Sequence, residues 1–144
     1  MKVMKLYLAS PFFNDEELRH YRIAIERLRV FGYDVFVPQE HEVEGAWEMS
    51  NEEWAEQVYS MDEKAIWSCD VVIVLNFGLY SDSGTAWEAG YAKAHGKRVV
   101  QVLCGGDNTV YSLMMLSSAD KIVTFDQIGV WQRVCADMSK VTQK

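Results

Sequence analysis

The sequence predicts an α/β fold with a doubly wound, parallel sheet of about five strands, and three observations point to it. Short β-branched runs alternate with longer segments of helical periodicity. One run, Cys69-Asp70-Val71-Val72-Ile73-Val74-Leu75-Asn76, is nearly continuous in apolar residues, as a strand buried on both faces must be. Glycine, proline and helix-capping residues fall at the joints between segments.

In chain order, the first strand is expected over Val3 to Ala9 and turns at Ser10-Pro11-Phe12-Phe13-Asn14. A helix follows from about Asp15 to Phe31, with Leu18, Tyr21, Ile25, Leu28 and Val30 as its apolar stripe and Gly32 as its stop. The second strand is Asp34 to Val37, ended by Pro38. A polar loop from Gln39 to Met49 leads into a helix from about Asn51 to Ser68, capped by Ser50 or Asn51, with Trp54, Val58, Met61, Ala65 and Ile66 expected inward. The third strand ends at Asn76, and the loop Phe77 to Ser81 precedes a helix from Ser83 to His95 that Gly96 terminates. Lys97 to Leu103 is the fourth strand, Gly105 to Asn108 a turn, Tyr111 to Ser117 a short helix and Lys121 to Phe125 the fifth strand. The tail from Gln127 onward reads as helical. This order is similar in class to the flavodoxin-like and Rossmann-like three-layer sandwiches.

Bulk properties narrow the function. A chain of 144 residues, 49% apolar with two prolines, is expected to form one domain over residues 1–144 with a substantial core. A net charge of −7 argues against a nucleic-acid polymer as partner, since phosphate binding needs clustered Lys and Arg. Arg19, Arg22, Arg27 and Arg29 on the first helix are interleaved with acids and read as a solvated face. Cys69, Cys104 and Cys135 form no pairing pattern, so neither a disulfide framework nor a zinc site is implied, and a reducing cytoplasm fits. The opening residues read as a strand rather than a leader, and no apolar run is long enough for a membrane span.

The segment richest in chemistry is Asp82-Ser83-Gly84-Thr85-Ala86-Trp87-Glu88-Ala89-Gly90-Tyr91, which places carboxylates on either side of a glycine-bearing turn opening a helix. Ligands of open parallel sheets sit beyond the carboxyl ends of the strands, so Glu88 would enter the crevice. Near the amino-terminal end of a helix its charge is favoured, and an ionised carboxylate there can act as a nucleophile. The same residues fit a capping box, Thr85-Ala86-Trp87-Glu88, in which Glu88 is purely structural. Asp62 lies four residues after Val58 and four before Ile66, on or beside the buried stripe of its helix. Its plain alternative is a flank position paired with Lys64 or capping a loop.

Tyr7-Leu8-Ala9-Ser10-Pro11-Phe12-Phe13, then Asp62 eight positions before Asp70, then the Asp82 to Tyr91 block, resemble the nucleoside 2-deoxyribosyltransferase family in order over most of the chain. The resemblance implies that Glu88 attacks the anomeric carbon of a 2-deoxyribonucleoside and holds a covalent deoxyribosyl intermediate, which a second base then reverses. It further implies that Tyr7 orients Glu88, Asp62 delivers a proton to the departing base, and Asp82 accepts hydrogen bonds at the 5′ end of the sugar beside Gly84 and Ser10. Phe12 or Phe13 would stack on the base. Ser112-Leu113-Met114 stands where members of the family carry Asn-Leu-Met, a segment that reaches a neighbouring subunit's site, so Ser112 and Met114 are expected to bind substrate within a homo-oligomer.

Serine at position 112 resembles instead the related 2′-deoxynucleoside 5′-monophosphate N-glycosidases. Those tend to carry serine six residues before the nucleophile, where this chain has Asp82. Asp82 would repel a phosphate, which favours unphosphorylated deoxyribonucleosides and free nucleobases as substrates in base salvage. The chemistry needs an acid to protonate the leaving base and an anion beside the oxocarbenium-like sugar, but no metal or organic cofactor. A catalytically silent nucleoside- or nucleotide-sensing module on the same fold is the rival reading from another class. The loop Gln39 to Gly45 is expected to face the base. His41 could touch the ligand but reads first as a plain loop residue, His20 as exposed, His95 as a charge complement at a helix end, and Trp47, Trp54, Trp67, Trp87 and Trp131 as core or subunit contacts.

Overall fold

A computed structural model describes residues 3–80 and 82–130. Five strands, β1 (Lys5–Ala9), β2 (Asp34–Phe36), β3 (Val71–Asn76), β4 (Arg98–Leu103) and β5 (Lys121–Thr124), form one parallel sheet in the order β2-β1-β3-β4-β5. Four helices connect them: α1 (Asp15–Val30), α2 (Asn51–Ser68), α3 (Ser83–Ala94) and α4 (Leu113–Ser118). The expected α/β three-layer arrangement is therefore present, with the strand order of the flavodoxin-like class. No helix among the described residues is long and apolar enough to cross a membrane.

Alternation along the strands divides the core. Leu6, Leu8, Val71, Ile73, Leu75, Val100 and Val102 point to one face and pack under Tyr21, Ala24 and Leu28 of α1. Tyr7, Ala9, Val72, Val74 and Val99 point to the other, under Ala65 and Ile66 of α2 and Ala89 and Ala92 of α3. Tyr7 thus faces α3, because its neighbours Leu6 and Leu8 are claimed by α1. The chain leaves β1 for α1 on one face and reaches β3 through α2 on the other, so the switch point lies between β1 and β3.

Several local expectations are corrected. β1 begins at Lys5 and β2 ends at Phe36, each inside the expected span. The Gln39 to Met49 loop contains single 3-10 turns at Pro38–Glu40 and Ala46–Glu48. Val30, at the last position of α1, is 75% exposed and falls outside the core. His20 is buried: its Nδ1 lies 2.8 Å from the Glu16 carbonyl and its ring packs on Phe77 and Phe125. The expected inward stripe of α2 holds only at Ala65 and Ile66, whereas Trp54 is exposed and Val58 and Met61 are partly so. Trp47, Trp54, Trp67 and Trp87 all stand well exposed, which removes them from the core. β5 ends at Thr124 and is followed by a 3-10 segment, Phe125–Val130, where a strand end and then a helix were expected. Trp131, Cys135 and the rest of the tail lie outside the described residues.

Candidate active site

Three helix starts fix the walls of a cleft beyond the carboxyl end of β1. Asn14 caps α1 by accepting from the Glu17 amide at 2.8 Å, and Glu17 in turn accepts from the Phe13 amide at 3.0 Å. That exchange holds the turn carrying Phe12 and Phe13, whose rings stack at 5.4 Å. Ser50 caps α2 through the Glu53 amide. Asp82 caps α3, its Oδ2 accepting from both the amide and the hydroxyl of Thr85 at 2.9 Å. Gly84 lies beside that carboxylate, and a Cβ there would stand 3.2 Å from Asp82 Oδ2.

The capping-box alternative for Thr85 to Glu88 is therefore absent. α3 starts at Ser83, two residues before Thr85, and the cap is Asp82. The Glu88 carboxylate is turned elsewhere: its Oε2 accepts a hydrogen bond from the Tyr7 hydroxyl. Both residues lie on the same side of the sheet, Tyr7 from the strand and Glu88 from the second turn of the helix packed above it.

Glu88 forms part of a cleft of about 710 Å³ together with Asp62, Asp82, Ser10, Phe12 and Phe13. α2 lines it through Trp54, Val58, Met61 and Asp62, all ahead of the Ala65 and Ile66 pair that enters the core. These apolar residues were legible as a helical stripe; what they face was not. Pro38, Gln39 and loop residues 41–47, including His41, close a further side. His41 stacks on Phe36 at 4.2 Å and Phe36 on Tyr7 at 5.5 Å, so a column of three rings joins the loop to the Tyr7 and Glu88 pair. Phe36 and Tyr21 are contributors that the sequence reading missed, because both carry the signature of ordinary core residues. Ser10 is buried and donates to the Pro11 carbonyl at 2.8 Å.

Electrostatics correct a second expectation, that Glu88 simply stays ionised. Burial pushes its carboxyl up to about 7, with Asp62 and Asp82 adding repulsion and the Tyr7 hydrogen bond opposing them. The macrodipole acts mainly on the first turn, and Glu88 lies past it. Burial likewise raises Asp62 to about 6, against the pull of His41. One oxygen of Asp62, Oδ1, is buried with no hydrogen-bond partner, so pairing with Lys64 or capping a loop does not describe it. Tyr7 is held far above its ordinary range by burial and by the two carboxylates, so it stays a donor. Near neutral pH the Asp62 and Glu88 pair thus holds about one proton, the condition for one group to act as acid and the other as base or nucleophile.

Ser112 and Met114 are not brought to this cleft. Ser112 caps α4, and both residues line a smaller pocket with Gly78, Ala86 and Gly90, between α3 and α4. Met114 is 81% exposed. Among the described residues no group of three or more His, Cys, Asp or Glu side chains is arranged to hold a metal ion.

Comparisons with known proteins give the family and the fold. The model of the nucleoside 2-deoxyribosyltransferase family matches residues 6–124. The structure of a 2-deoxyribosyltransferase from the psychrotolerant bacterium Bacillus psychrosaccharolyticus is 35% identical, covers 87% of this chain and 90% of its own, and superposes with a TM-score of 0.73. A conserved protein from Enterococcus faecalis V583 shares the fold at 22% identity and a TM-score of 0.69, with 92% of this chain and 99% of that one covered. A CMP N-glycosidase from Clostridium botulinum shares it at 19% identity and a TM-score of 0.61, covering 90% of this chain and 97% of its own. No curated protein matches the chain.

Proposed function

Because the chain belongs to the nucleoside 2-deoxyribosyltransferase family, an enzymatic one, we propose that it exchanges the base of 2-deoxyribonucleosides through a deoxyribosyl ester on Glu88. The observation that carries this reading is the buried Glu88 carboxylate, held by the Tyr7 hydroxyl and facing the cleft with Asp62 as a second, unsatisfied carboxyl. In the reacting form Glu88 is ionised and Asp62 protonated. Glu88 attacks C1′ as Asp62 gives its proton to the departing base, and the electron pair of the glycosidic bond goes to the base nitrogen. The incoming base then displaces Glu88 while Asp62 recovers a proton. Tyr7 keeps the attacking oxygen oriented and lowers its proton affinity. Phe12 and Phe13 offer a stacking surface for the base, and Ser10, Asp82 and Gly84 border the sugar.

Incubation with deoxyinosine or thymidine, with and without adenine or cytosine, should give new nucleosides on chromatography only when the acceptor is present. Release of free base without any need for an acceptor would replace transfer by hydrolysis, and binding without turnover would leave the sensing module.

Asp82 sets the second expectation. A 5′-phosphate would bring like charges together in a cleft that no Lys or Arg among the described residues lines. Deoxynucleosides should have the higher kcat/KM compared with their 5′-monophosphates. Asp82→Ser should narrow the gap without unseating α3, since serine is as good a cap. A wild-type preference for monophosphates would contradict this.

Ser112 and Met114 lie away from the cleft within one chain, and Leu113 and Met114 are exposed. This supports their contribution to a neighbouring subunit's site, so the active species should be at least a dimer. Light scattering on a fully active monomer would rule that out.

A further inference from the structure

The cleft carries a charge pattern that exchange between neutral nucleosides leaves unused. Five acidic side chains line it, Glu42, Glu44, Asp62, Asp82 and Glu88, and no lysine or arginine among the described residues joins them. The apolar part of the lining is rich in aromatic rings, Phe12, Phe13, Trp47 and Trp54. A concave site with low-dielectric walls focuses the negative potential, and aromatic faces attract cations directly. Asp62 Oδ1, buried without a partner, is a further acceptor. Together these features describe a site for a flat, positively charged ring.

Resting on the reading that Glu88 attacks C1′, we propose that the cleft also accepts deoxyribonucleosides whose base bears a fixed positive charge, N7-alkylated purines, and frees the base from them without a proton from Asp62. In such a nucleoside the purine is already a cation. As a Glu88 oxygen bonds to C1′, the C1′–N9 bond breaks and its electron pair returns to N9. The products are a neutral N7-alkylpurine and the deoxyribosyl ester. Water or an acceptor base then attacks C1′, displaces the Glu88 carboxylate, and passes its proton to the Asp62 carboxylate or to solvent. Charge and atoms balance with no other reactant.

The test compares 2′-deoxyguanosine with N7-methyl-2′-deoxyguanosine, each with adenine, on the wild-type chain, Asp62→Asn and Glu88→Gln. Chromatography follows free base and new nucleoside, with Glu88→Gln giving the background of spontaneous cleavage. The wild type should consume both substrates. Asp62→Asn should lose about 100-fold or more in kcat on deoxyguanosine, yet keep kcat on the methylated nucleoside within about threefold while its KM rises for want of one negative charge. Calorimetry on Glu88→Gln supplies a reading free of turnover: the cation should bind more tightly than deoxyguanosine, and added salt should shrink the preference. A wild type that exchanges deoxyguanosine but leaves the methylated nucleoside at background overturns the proposal. So does an Asp62→Asn that loses both in proportion, or equal binding of the two. If the wild type consumes neither, the base-exchange reading itself fails.

Discussion

Glu88→Gln is expected to abolish base exchange, by on the order of 10⁴-fold or more, while making the folded protein more stable at alkaline pH. The activity half follows from removal of the nucleophile: an amide oxygen cannot form and release the deoxyribosyl ester. The stability half follows from linkage. The folded-state carboxyl of Glu88 is raised to about 7 from an ordinary 4.5, so the stability associated with its protonated form is fully present below the ordinary value and is lost as pH rises through about 7. At pH well above that, the wild type carries a cost on the order of 3 kcal/mol that glutamine does not. Glutamine also keeps an acceptor for the Tyr7 hydroxyl, and no capping box is lost because Asp82 caps the helix. Urea unfolding across this range measures it: the two proteins should be close below the ordinary carboxylate range, separate as pH rises from about 4.5 to about 7, and stay apart by a constant amount above it. A folded Glu88→Gln or Glu88→Ala protein with full activity would eliminate Glu88 as the nucleophile. On the wild type, a 2-fluoro-2-deoxy sugar nucleoside should leave an adduct on the Glu88 peptide in mass spectrometry, and an adduct elsewhere would reassign it.

The second large effect is in the pH profile. With Asp62 raised to about 6 and Glu88 to about 7, the productive form of the cleft holds one proton between them. kcat/KM should trace a bell, falling below about 6 as both groups become protonated and above about 7 as both ionise. Tyr7→Phe removes the hydrogen bond that lowers Glu88, so Glu88 takes up its proton more readily. The alkaline limb should move to higher pH, and the peak rate should drop because the form with Glu88 ionised and Asp62 protonated becomes rarer. Asp62→Asn acts in the opposite sense on Glu88: it removes a repelling charge, so Glu88 ionises at lower pH, and the alkaline limb, which needs a protonated Asp62, should vanish. Stability moves with the same signs, since Asp62 is also raised on folding and disfavours the fold as pH rises through about 6. A Tyr7→Phe profile superimposable on the wild type would remove Tyr7 from the control of Glu88.

The proton chemistry differs from the sequence expectation for a definable reason. The proton affinity of Glu88 is set by Tyr7, Asp62 and Asp82, which reach it from a strand, another helix and a cap. No local pattern around Glu88 records their distances. The Thr85 to Glu88 spacing fits a capping box in isolation, but the helix starts where Asp82 captures the Thr85 amide and hydroxyl. Once that cap is taken, the Glu88 carboxylate is available to Tyr7.

The sequence by itself determined the alternation of strands and helices, hence the parallel sheet and its layers, because side-chain periodicity is a local property that backbone geometry translates directly. It also determined that Tyr7, Asp62, Asp82 and Glu88 were the polar residues to watch, through the order of motifs shared with a family. Only the tertiary structure decided what those patterns face. Trp54, Val58 and Met61 repeat as a core stripe would, yet they line a cleft, whereas His20, polar by type, is buried among rings. Periodicity states which side of a helix is apolar; whether that side meets the sheet, a ligand space or another chain depends on what the rest of the chain packs beside it. α2 gives Ala65 and Ile66 to the core and Trp54, Val58, Met61 and Asp62 to the cleft, and that division, with Glu88 of α3 on the same cleft, makes the site.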